Sequence, residues 1–157
     1  MSAALVAEVA AQLLKRGERL AVAESCTGGL IAAACTELAG SSAWFERGVV
    51  SYANTAKQDL LGVPQQVLVT QGAVSEVCVR AMAKGLLMCA PVQHTLAVSG
   101  IAGPTGGSAE KPVGTVWIAW ANADRVTAER FLFSGDRASI RQQAVAAAFA
   151  GLLQQLG

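Results

Sequence analysis

The fold class is indicated by one stretch, Leu20-Ala21-Val22-Ala23-Glu24-Ser25-Cys26-Thr27-Gly28-Gly29, in which an apolar run leads into a polar turn that ends in two glycines. The run from Leu20 to Ala23 predicts a short buried strand, because it is apolar throughout and too short for a helix. An apolar segment of helical length, Leu30 to Leu38, follows the turn. The succession of strand, turn and helix indicates an α/β protein.

The rest of the chain continues this alternation on both sides of the stretch. A first helix is predicted from Ser2 to near Gly17, where apolar residues recur at helical spacing. Apolar runs, capping residues and prolines predict strands over residues 45–53, 95–98, 113–120 and 125–133, and helices that begin at Asn54 or Thr55, at Ser75, and at Ser134 or Asp136. This pattern predicts one domain over residues 1–157, a three-layer α/β/α sandwich with a mixed, mostly parallel sheet and a C-terminal antiparallel hairpin.

The composition is that of a chain with a substantial apolar core. Hydrophobic residues make up 53% of the 157 residues and charged residues 15%, with a formal net charge of +1. Alanine supplies much of the apolar fraction, which predicts close helix packing rather than a bulky aromatic core. The charges are scattered, so neither a nucleic-acid partner nor an anionic membrane surface is expected. Neither a membrane helix nor a signal peptide is expected, which predicts a cytoplasmic protein.

The cysteines form neither a metal-binding nor a redox motif. None of Cys26, Cys35, Cys78 and Cys89 has C-x-x-C spacing or a histidine nearby, so we expect free thiols, no metal site and no cofactor. Cys78 and Cys89 share one face of the helix that begins at Ser75, and both are expected in the core.

Three polar, glycine-bearing or hydroxyl-bearing segments follow predicted strands. They span residues 24–29, 51–57 and 99–107. Ligands of α/β sheets gather beyond the carboxyl ends of the strands, so these segments are expected to meet at one edge of the sheet. Their convergence predicts a functional site more strongly than any one of them does alone.

The first of these segments has the form of a nucleophile turn. Ser25 stands at a strand-to-helix turn, and the amides of Cys26, Thr27, Gly28 and Gly29 are candidates to stabilise an oxyanion or to hold a phosphate. A simpler interpretation, in which Ser25 only caps the helix, is equally compatible with the turn. Cys26 is a rival nucleophile, although no histidine is nearby to activate it.

The sequence does not offer a histidine as the base that would activate Ser25. His94 stands at the amino end of a predicted strand, the wrong edge of the sheet, so a Ser-His-Asp triad is not expected and His94 is predicted to be a surface or edge residue. A buried lysine with a lowered pKa is the alternative base. Lys57 follows Tyr52 by five residues, and a helix that begins at Asn54 would let both side chains face the first turn; a solvated helix lysine is the competing interpretation.

The third segment is a glycine-rich loop that fits neither the Walker nor the dinucleotide-binding pattern. Its backbone could approach a small anionic ligand closely, through the following residues: Gly100, Gly103, Thr105, Gly106 and Gly107. Arg137 and Arg141, one turn apart on the last predicted helix, could hold a phosphate or carboxylate, or could face solvent.

Six segments of the chain together resemble one known family. They are Ala-Glu-Ser-Cys-Thr-Gly-Gly at 23–29, Gly-Ser-Ser-Ala-Trp-Phe-Glu-Arg-Gly at 40–48, Gly-Ala-Val-Ser-Glu at 72–76, Ser-Gly-Ile-Ala-Gly-Pro-Thr-Gly-Gly at 99–107, Lys-Pro-Val-Gly-Thr-Val-Trp at 111–117 and Phe-Ser-Gly-Asp-Arg at 133–137. In this order, over nearly the whole chain, they resemble the CinA C-terminal domain family, specifically its stand-alone nicotinamide-nucleotide amidases.

The resemblance implies a fold, a reaction and a set of catalytic residues. It implies an α/β/α sandwich, a homodimer or higher homo-oligomer, and hydrolysis of nicotinamide mononucleotide to nicotinate mononucleotide and ammonia in pyridine nucleotide salvage. A serine nucleophile, a lysine and a tyrosine correspond here to Ser25, Lys57 and Tyr52. A non-catalytic nucleotide-binding module, a competence-associated interaction domain and an amidase for another small amide are the alternatives.

Overall fold

The computed structural model describes residues 2–157 and contains one five-stranded sheet flanked by helices. The strands are β1 (Leu20–Glu24), β2 (Phe45–Val50), β3 (His94–Gly100), β4 (Thr115–Ala121) and β5 (Val126–Leu132). The helices are α1 (Ser2–Arg16), α2 (Leu30–Thr36), α3 (Asn54–Leu61), α4 (Gln65–Thr70), α5 (Glu76–Cys89) and α6 (Arg137–Leu156), and a short 3-10 turn spans Ser41–Ala43.

The sheet has the order β2-β1-β3-β4-β5 and is mixed, as the sequence predicts. Strands β1, β2 and β3 are parallel, whereas β4 is antiparallel to both β3 and β5. Four strands therefore run the same way, but the pairings are divided equally between parallel and antiparallel. The β4–β5 hairpin turns where the Asn122 side chain accepts hydrogen bonds from the amides of Asp124 and Arg125, which confirms the predicted polar turn.

The two faces of the sheet carry side chains of different size. Helices α1, α2 and α6 cover one face, where the strands contribute large apolar residues: Leu20, Val22, Leu96, Val98, Val116, Ile118 and Trp120. Helices α3, α4 and α5 lie on the other side, where the fully or nearly buried strand residues are mostly alanines: Ala21, Ala23, Ala97, Ala119 and Ala121. The predicted close packing of helices against small side chains therefore applies to one face in particular.

Helix α5 packs closely against both the sheet and α3. A Cβ atom on Gly85 would overlap the carbonyl oxygen of Leu61, so the two helices can approach this closely only because position 85 has no side chain. Helix α3 is thereby held beside the carboxyl ends of β1 and β2, where the polar segments lie.

Two predicted helix starts are confirmed by their capping hydrogen bonds. The Ser75 hydroxyl accepts from the Cys78 amide at 3.2 Å, and the Asp136 carboxylate accepts from the Ser139 amide at 2.9 Å. Such caps satisfy amides that have no partner within the helix. Helix α4 was not expected from the sequence, because six residues are too few to show a helical period.

Three sequence predictions need correction. Strand β2 ends at Val50 rather than at residue 53 because the chain turns there toward α3. Cys89 is exposed, since it lies in the last turn of α5 beyond the edge of the core. His94 stands at the amino end of β3, at the predicted edge of the sheet, but it is buried rather than on the surface and lies 2.8 Å from a Glu18 carboxylate oxygen. None of the helices in the described part of the chain has the length and hydropathy of a membrane-spanning segment.

Candidate active site

The three polar segments meet in one cavity beyond the carboxyl ends of β1, β2 and β3. The cavity has a volume of about 360 Å³, which lies within the range of small-molecule sites. It is lined from the first segment by Ser25 and Cys26, from the second by Tyr52, Asn54 and Lys57, from the third by residues of the 99–106 loop, and also by Ala73, Val74 and Arg137. The predicted convergence of the three segments is confirmed.

Ser25 and Lys57 are in direct contact inside this cavity. Lys57 Nζ lies 3.0 Å from Ser25 Oγ, although the two residues are separated by 32 positions in the chain. Ser25 follows β1 directly and its amide donates to the Val98 carbonyl at 3.0 Å, which fixes the start of the turn to β3. The serine is therefore held toward the lysine by the sheet and not by a flexible loop.

Lys57 reaches Ser25 from the first turns of α3. The sequence predicts a helix that begins at Asn54 or Thr55, and α3 does begin at Asn54. The Lys57 side chain is only 1% exposed. Burial lowers the pKa of its ammonium group below the usual value, because desolvation penalises the charged form. The interpretation of Lys57 as a solvated surface lysine is therefore wrong.

The polar neighbours of Lys57 can hold either an ammonium group or a neutral amine. Its Nζ atom donates to the main-chain carbonyls of Ser51 and Tyr52, each at 2.9 Å. A charged amine can donate its third N–H to Ser25 Oγ. A neutral amine, with both of its N–H groups on the two carbonyls, has its lone pair left for the hydroxyl of Ser25. This is the arrangement that a general base for the serine requires.

Tyr52 takes part through its main chain as well as its ring. Its carbonyl oxygen accepts from Lys57 Nζ at 2.9 Å and lies 3.5 Å from Ser25 Oγ. The ring is exposed at the rim of the cavity, and its hydroxyl lies 3.5 Å from Arg137 Nη2. The predicted side-chain role of Tyr52 in proton transfer stays a prediction; the contacts of its hydroxyl point toward the Arg137 side of the cavity.

The turn after Ser25 is organised by a carboxylate that the sequence analysis did not single out. Glu24 is fully buried, and its side chain accepts hydrogen bonds from the amides of Gly29, Ile31 and Ala32 at 3.0 to 3.2 Å. A carboxylate is favourable at the N-terminus of a helix because of the unpaired amides and the helix dipole. The signal available in the sequence was an acidic residue a few positions before an apolar helix.

Two of the four amides expected to face a ligand are already occupied. The Gly28 amide donates to the Ser25 carbonyl at 3.0 Å, and the Gly29 amide donates to Glu24 at 3.2 Å. The prediction that Gly28 and Gly29 supply amides to an oxyanion or phosphate is therefore not favoured by these contacts. Within residues 2–157, the amides of Cys26 and Thr27 have no acceptor on another residue.

The Thr27 side chain and the Cys26 thiol both lie in surroundings that do not favour reactivity. The Thr27 residue is fully buried, and its hydroxyl has no hydrogen-bond partner in the described chain. Burial raises the pKa of the Cys26 thiol to about 11, against a weaker opposing effect of the Arg141 charge. Because the thiolate is the nucleophilic form of cysteine, Cys26 is a much poorer candidate nucleophile than Ser25 near neutral pH.

The glycine-rich loop forms one wall of the cavity. Gly100, Gly103, Thr105 and Gly106 line it, as predicted, whereas Gly107 does not. A Cβ atom at Gly107 would come within 2.7 Å of the Val113 amide nitrogen. This glycine therefore allows the loop to pack on the segment before β4, and its role in ligand binding stays a prediction.

The two arginines at the start of α6 have different surroundings. Arg137 lines the cavity and donates to the Gly103 carbonyl at 2.9 Å. Arg141 is not among the described residues that line the cavity; it donates instead to the carbonyls of Cys26 and Thr27. The prediction of a phosphate or carboxylate ligand is thus kept for Arg137 and withdrawn for Arg141.

The cavity suits an anionic organic ligand. Its lining includes the Arg137 guanidinium and the Lys57 amine, and no carboxylate among the described residues. Across residues 2–157, no cluster of three or more His, Cys, Asp or Glu side chains could hold a metal ion. The groups present can perform nucleophilic and acid–base chemistry on a bound carbonyl compound.

Comparisons with known proteins identify the family of the chain. Residues 2–156 match the model of the CinA C-terminal domain. Nicotinamide-nucleotide amidohydrolase PncC of Enterobacter agglomerans is 55% identical over 141 residues, which cover 89% of this chain and 86% of that protein. The PncC protein of Escherichia coli (strain K12) is 52% identical over 153 residues, 96% of this chain and 92% of that protein.

A crystal structure extends the similarity to the backbone. The competence-damaged protein (CinA) superfamily protein from Klebsiella pneumoniae 700603 superposes with a TM-score of 0.96 at 41% sequence identity, over 99% of this chain and 98% of that one. The match thus includes every strand and helix that forms the cavity. The chain belongs to the CinA C-terminal domain family.

Proposed function

We propose that the protein is an amidohydrolase that converts nicotinamide mononucleotide to nicotinate mononucleotide and ammonia, a reaction of pyridine nucleotide salvage. The observation that carries the proposal is the 3.0 Å contact between Ser25 Oγ and a buried Lys57 amine inside the cavity. The choice of substrate is supported by relatives at 52% and 55% identity that are named nicotinamide-nucleotide amidohydrolases.

The first step is attack of the serine on the carboxamide. Neutral Lys57 accepts the hydroxyl proton of Ser25 as Oγ bonds to the amide carbon. The lysine becomes an ammonium ion, and the carbonyl oxygen of the substrate becomes an oxyanion. The carbonyls of Ser51 and Tyr52, at 2.9 Å from Nζ, hold the amine in place and also stabilise its charged form.

The oxyanion is stabilised by main-chain amides of the turn after Ser25. The amides of Cys26 and Thr27 are the donors proposed for this purpose, since those of Gly28 and Gly29 are occupied. A well-placed donor of this kind contributes roughly 3–4 kcal/mol to transition-state stability. Such stabilisation is the reason that a serine held at the start of a tight turn is more reactive than one on a straight helix.

The remaining steps return the enzyme to its starting state. The Lys57 ammonium gives a proton to the departing nitrogen, the C–N bond breaks, and ammonia leaves an acyl-Ser25 ester. A water molecule, deprotonated by the again neutral Lys57, then attacks this ester. Collapse of the second tetrahedral intermediate returns the proton to Ser25 and releases the carboxylic acid, which loses its proton to water or to the released ammonia and becomes the carboxylate product.

The nucleotide part of the substrate is assigned to the other side of the cavity. Arg137 supplies a positive charge for the phosphate, and the loop with Gly100, Gly103, Thr105 and Gly106 supplies main-chain groups. The Tyr52 hydroxyl, 3.5 Å from Arg137 Nη2, is available to orient the same guanidinium or the substrate.

Two further expectations stay predictions. One is the homodimer or higher homo-oligomer, for which Met88 and Val69, with 89% and 76% of their surfaces exposed, are candidate contact residues. The other is a cytoplasmic location. Light scattering of the purified protein measures the first, and fractionation of the source cell measures the second.

Ammonia release from three related compounds tests the proposed function. We expect release from nicotinamide mononucleotide, with nicotinate mononucleotide as the product by chromatography, and slower release from nicotinamide riboside, which lacks the phosphate that Arg137 would bind. The dinucleotide NAD is the third substrate, because it carries the same amide on a larger group. Binding of the mononucleotide without release of ammonia would instead indicate a non-catalytic binding module and contradict the proposal.

A further inference from the structure

Arg141 makes two hydrogen bonds to successive carbonyls of the turn that follows Ser25. Its Nε atom donates to the Cys26 carbonyl at 3.0 Å, and its Nη2 atom donates to the Thr27 carbonyl at 3.2 Å. The guanidinium comes from the second turn of α6, more than a hundred residues later in the chain, and is only partly exposed. The planar guanidinium binds both carbonyls at once in a fixed geometry.

These bonds determine the direction of peptide groups. The Gly28 amide donates to the Ser25 carbonyl at 3.0 Å, so residues 25–28 form a closed turn with Cys26 and Thr27 at its centre. In a trans peptide the carbonyl and the following N–H point in opposite directions. By holding the Cys26 carbonyl, Arg141 therefore also fixes the Thr27 N–H and directs it away from the guanidinium.

The same turn is held by contacts on its other sides. The Ser25 amide is bonded to the Val98 carbonyl, and Glu24 binds the amides at the start of α2. A Cβ atom at Gly28 would lie 3.2 Å from Arg141 Nη2, so the guanidinium packs directly on the backbone. The Glu24 carboxylate accepts hydrogen bonds from amides of this region, and the Arg141 guanidinium donates to its carbonyls. The amides of Cys26 and Thr27 have no acceptor on another residue among residues 2–157.

We propose that Arg141 is a positioning residue for the hydrolytic reaction: by holding the Cys26 carbonyl it fixes the Thr27 N–H of the same peptide group, so that this N–H stabilises the oxyanion. The inference rests on the proposed serine mechanism. Arg141 acts through the turn and lies outside the lining of the cavity, so its removal is expected to lower the rate of Ser25 acylation without changing how the nucleotide is bound.

Acylation by p-nitrophenyl acetate tests this role without depending on the natural substrate. We expect Arg141→Ala to lower the acylation rate of Ser25, followed by intact-protein mass, by about 10- to 100-fold, because loss of a single oxyanion donor costs about 10²- to 10³-fold and a displaced turn weakens rather than deletes the donors. With nicotinamide mononucleotide, kcat is expected to fall by a similar factor while KM stays within about twofold.

Three companion measurements separate positioning from loss of structure. Arg141→Lys can make one of the two bonds and is expected to have an intermediate rate, and added guanidinium ion is expected to restore part of the activity of Arg141→Ala. Arg130→Ala removes an exposed arginine from β5 and is expected to leave both rates unchanged. If Arg141→Ala does not fold, the rate of Arg141→Lys decides the question.

The outcomes distinguish this inference from the proposed function. An unchanged acylation rate in both Arg141 variants, or a rise in KM with kcat unchanged, would overturn the positioning role. Acylation of the wild type without ammonia release from any nucleotide would overturn the substrate assignment and leave the role of Arg141 standing. Failure of the wild type to be acylated at Ser25 would overturn both.

Discussion

The central strands β1 and β3 have a cavity at each end, and the two cavities are of similar size. At the carboxyl end, a cavity of about 360 Å³ contains Ser25 and Lys57. At the amino end, a cavity of about 390 Å³ lies beside His94, whose ring nitrogen is 2.8 Å from a Glu18 carboxylate oxygen. Both places combine a concave surface with a buried titratable side chain, so neither property distinguishes them.

The chemistry of the lining residues does distinguish them. Among the described residues, the amino-end cavity has no serine, threonine, cysteine or lysine, and its charges are of both signs: Arg16, Glu18 and Asp124. The carboxyl-end cavity pairs a hydroxyl with an amine and has unpaired main-chain amides nearby. The histidine by itself points to the amino end, whereas the rule that ligands bind beyond the carboxyl ends of the strands points to the cavity with Ser25 and Lys57.

The largest expected effect is loss of the nucleophile at the carboxyl end. Ser25→Ala should reduce ammonia release by at least about 10³-fold, since removal of a catalytic serine in comparable hydrolases costs this much or more. The matched change at the other end, His94→Gln, should leave kcat/KM within about threefold. Both are measured by a coupled ammonia assay. Comparable losses of activity in the two variants would contradict the assignment of the reaction to the carboxyl-end cavity alone.

Replacement of the base is expected to be nearly as severe. Lys57→Met keeps the length and apolar stem of the side chain but removes the lone pair that faces Ser25, so kcat should fall by about 10²- to 10⁴-fold, the usual contribution of a general base. Lys84→Met, on the exposed side of α5, is the control and should retain wild-type activity. Activity of the Lys57 variant above a tenth of the wild type would be incompatible with a Ser–Lys mechanism.

The pH dependence of kcat/KM gives a graded test of the same base. Because the reaction needs neutral Lys57, the rate should rise with pH by about tenfold per unit and level off above the pKa of this amine. Burial lowers that pKa, so the midpoint of the rise should lie below the usual lysine value of 10.5. The profile should be unaltered in His94→Gln; a midpoint that moves in this variant would assign the titration to the amino end.

The buried carboxylate behind the turn should affect stability as well as rate. Glu24→Gln removes a charge that accepts three amides and exchanges one oxygen for an N–H₂ group, which places donors against donors. We expect a decrease of about 1–3 kcal/mol in the free energy of unfolding. Glu8→Gln, an exposed change on α1, should alter the denaturation midpoint little, and equal midpoints for the two variants would contradict the role given to Glu24.

The smallest effect is expected at the amino end. Glu18→Gln removes the partner of His94, but the Glu18 side chain is 30% exposed, so the pair is worth less than about 1 kcal/mol. Chemical denaturation measures this change, with Glu129→Gln on β5 as the control. Ammonia release should be unaffected, and a loss of activity here would show that the two ends are coupled.

The architecture and the proximity of Ser25 and Lys57 could be predicted from the sequence for local reasons. Apolar runs and caps such as Ser75 and Asp136 depend on neighbouring residues, so the elements could be placed to within a few residues. Lys57 could be singled out because a helix that begins at Asn54, soon after β2, determines the direction in which the Lys57 side chain points.

What the sequence did not predict depends on contacts between distant segments. Arg141 does not line the cavity because its guanidinium is bonded to Cys26 and Thr27, which lie more than a hundred residues earlier in the chain. The occupied amides of Gly28 and Gly29 could be recognised only once the Glu24 side chain was seen to fold back on α2. The burial of His94 likewise depends on its contact with Glu18.

The close approach of α5 to α3 makes the catalytic distance depend on a residue outside the cavity. Gly85 keeps the two helices at this short separation because it has no side chain. A single added carbon there would overlap the Leu61 carbonyl and displace α3 outward. Lys57 lies on that helix. The distance between Lys57 Nζ and Ser25 Oγ therefore depends in part on the absence of a Cβ atom at position 85. We therefore expect that substitution of Gly85 lengthens the contact between Ser25 and Lys57, although neither of these residues is changed.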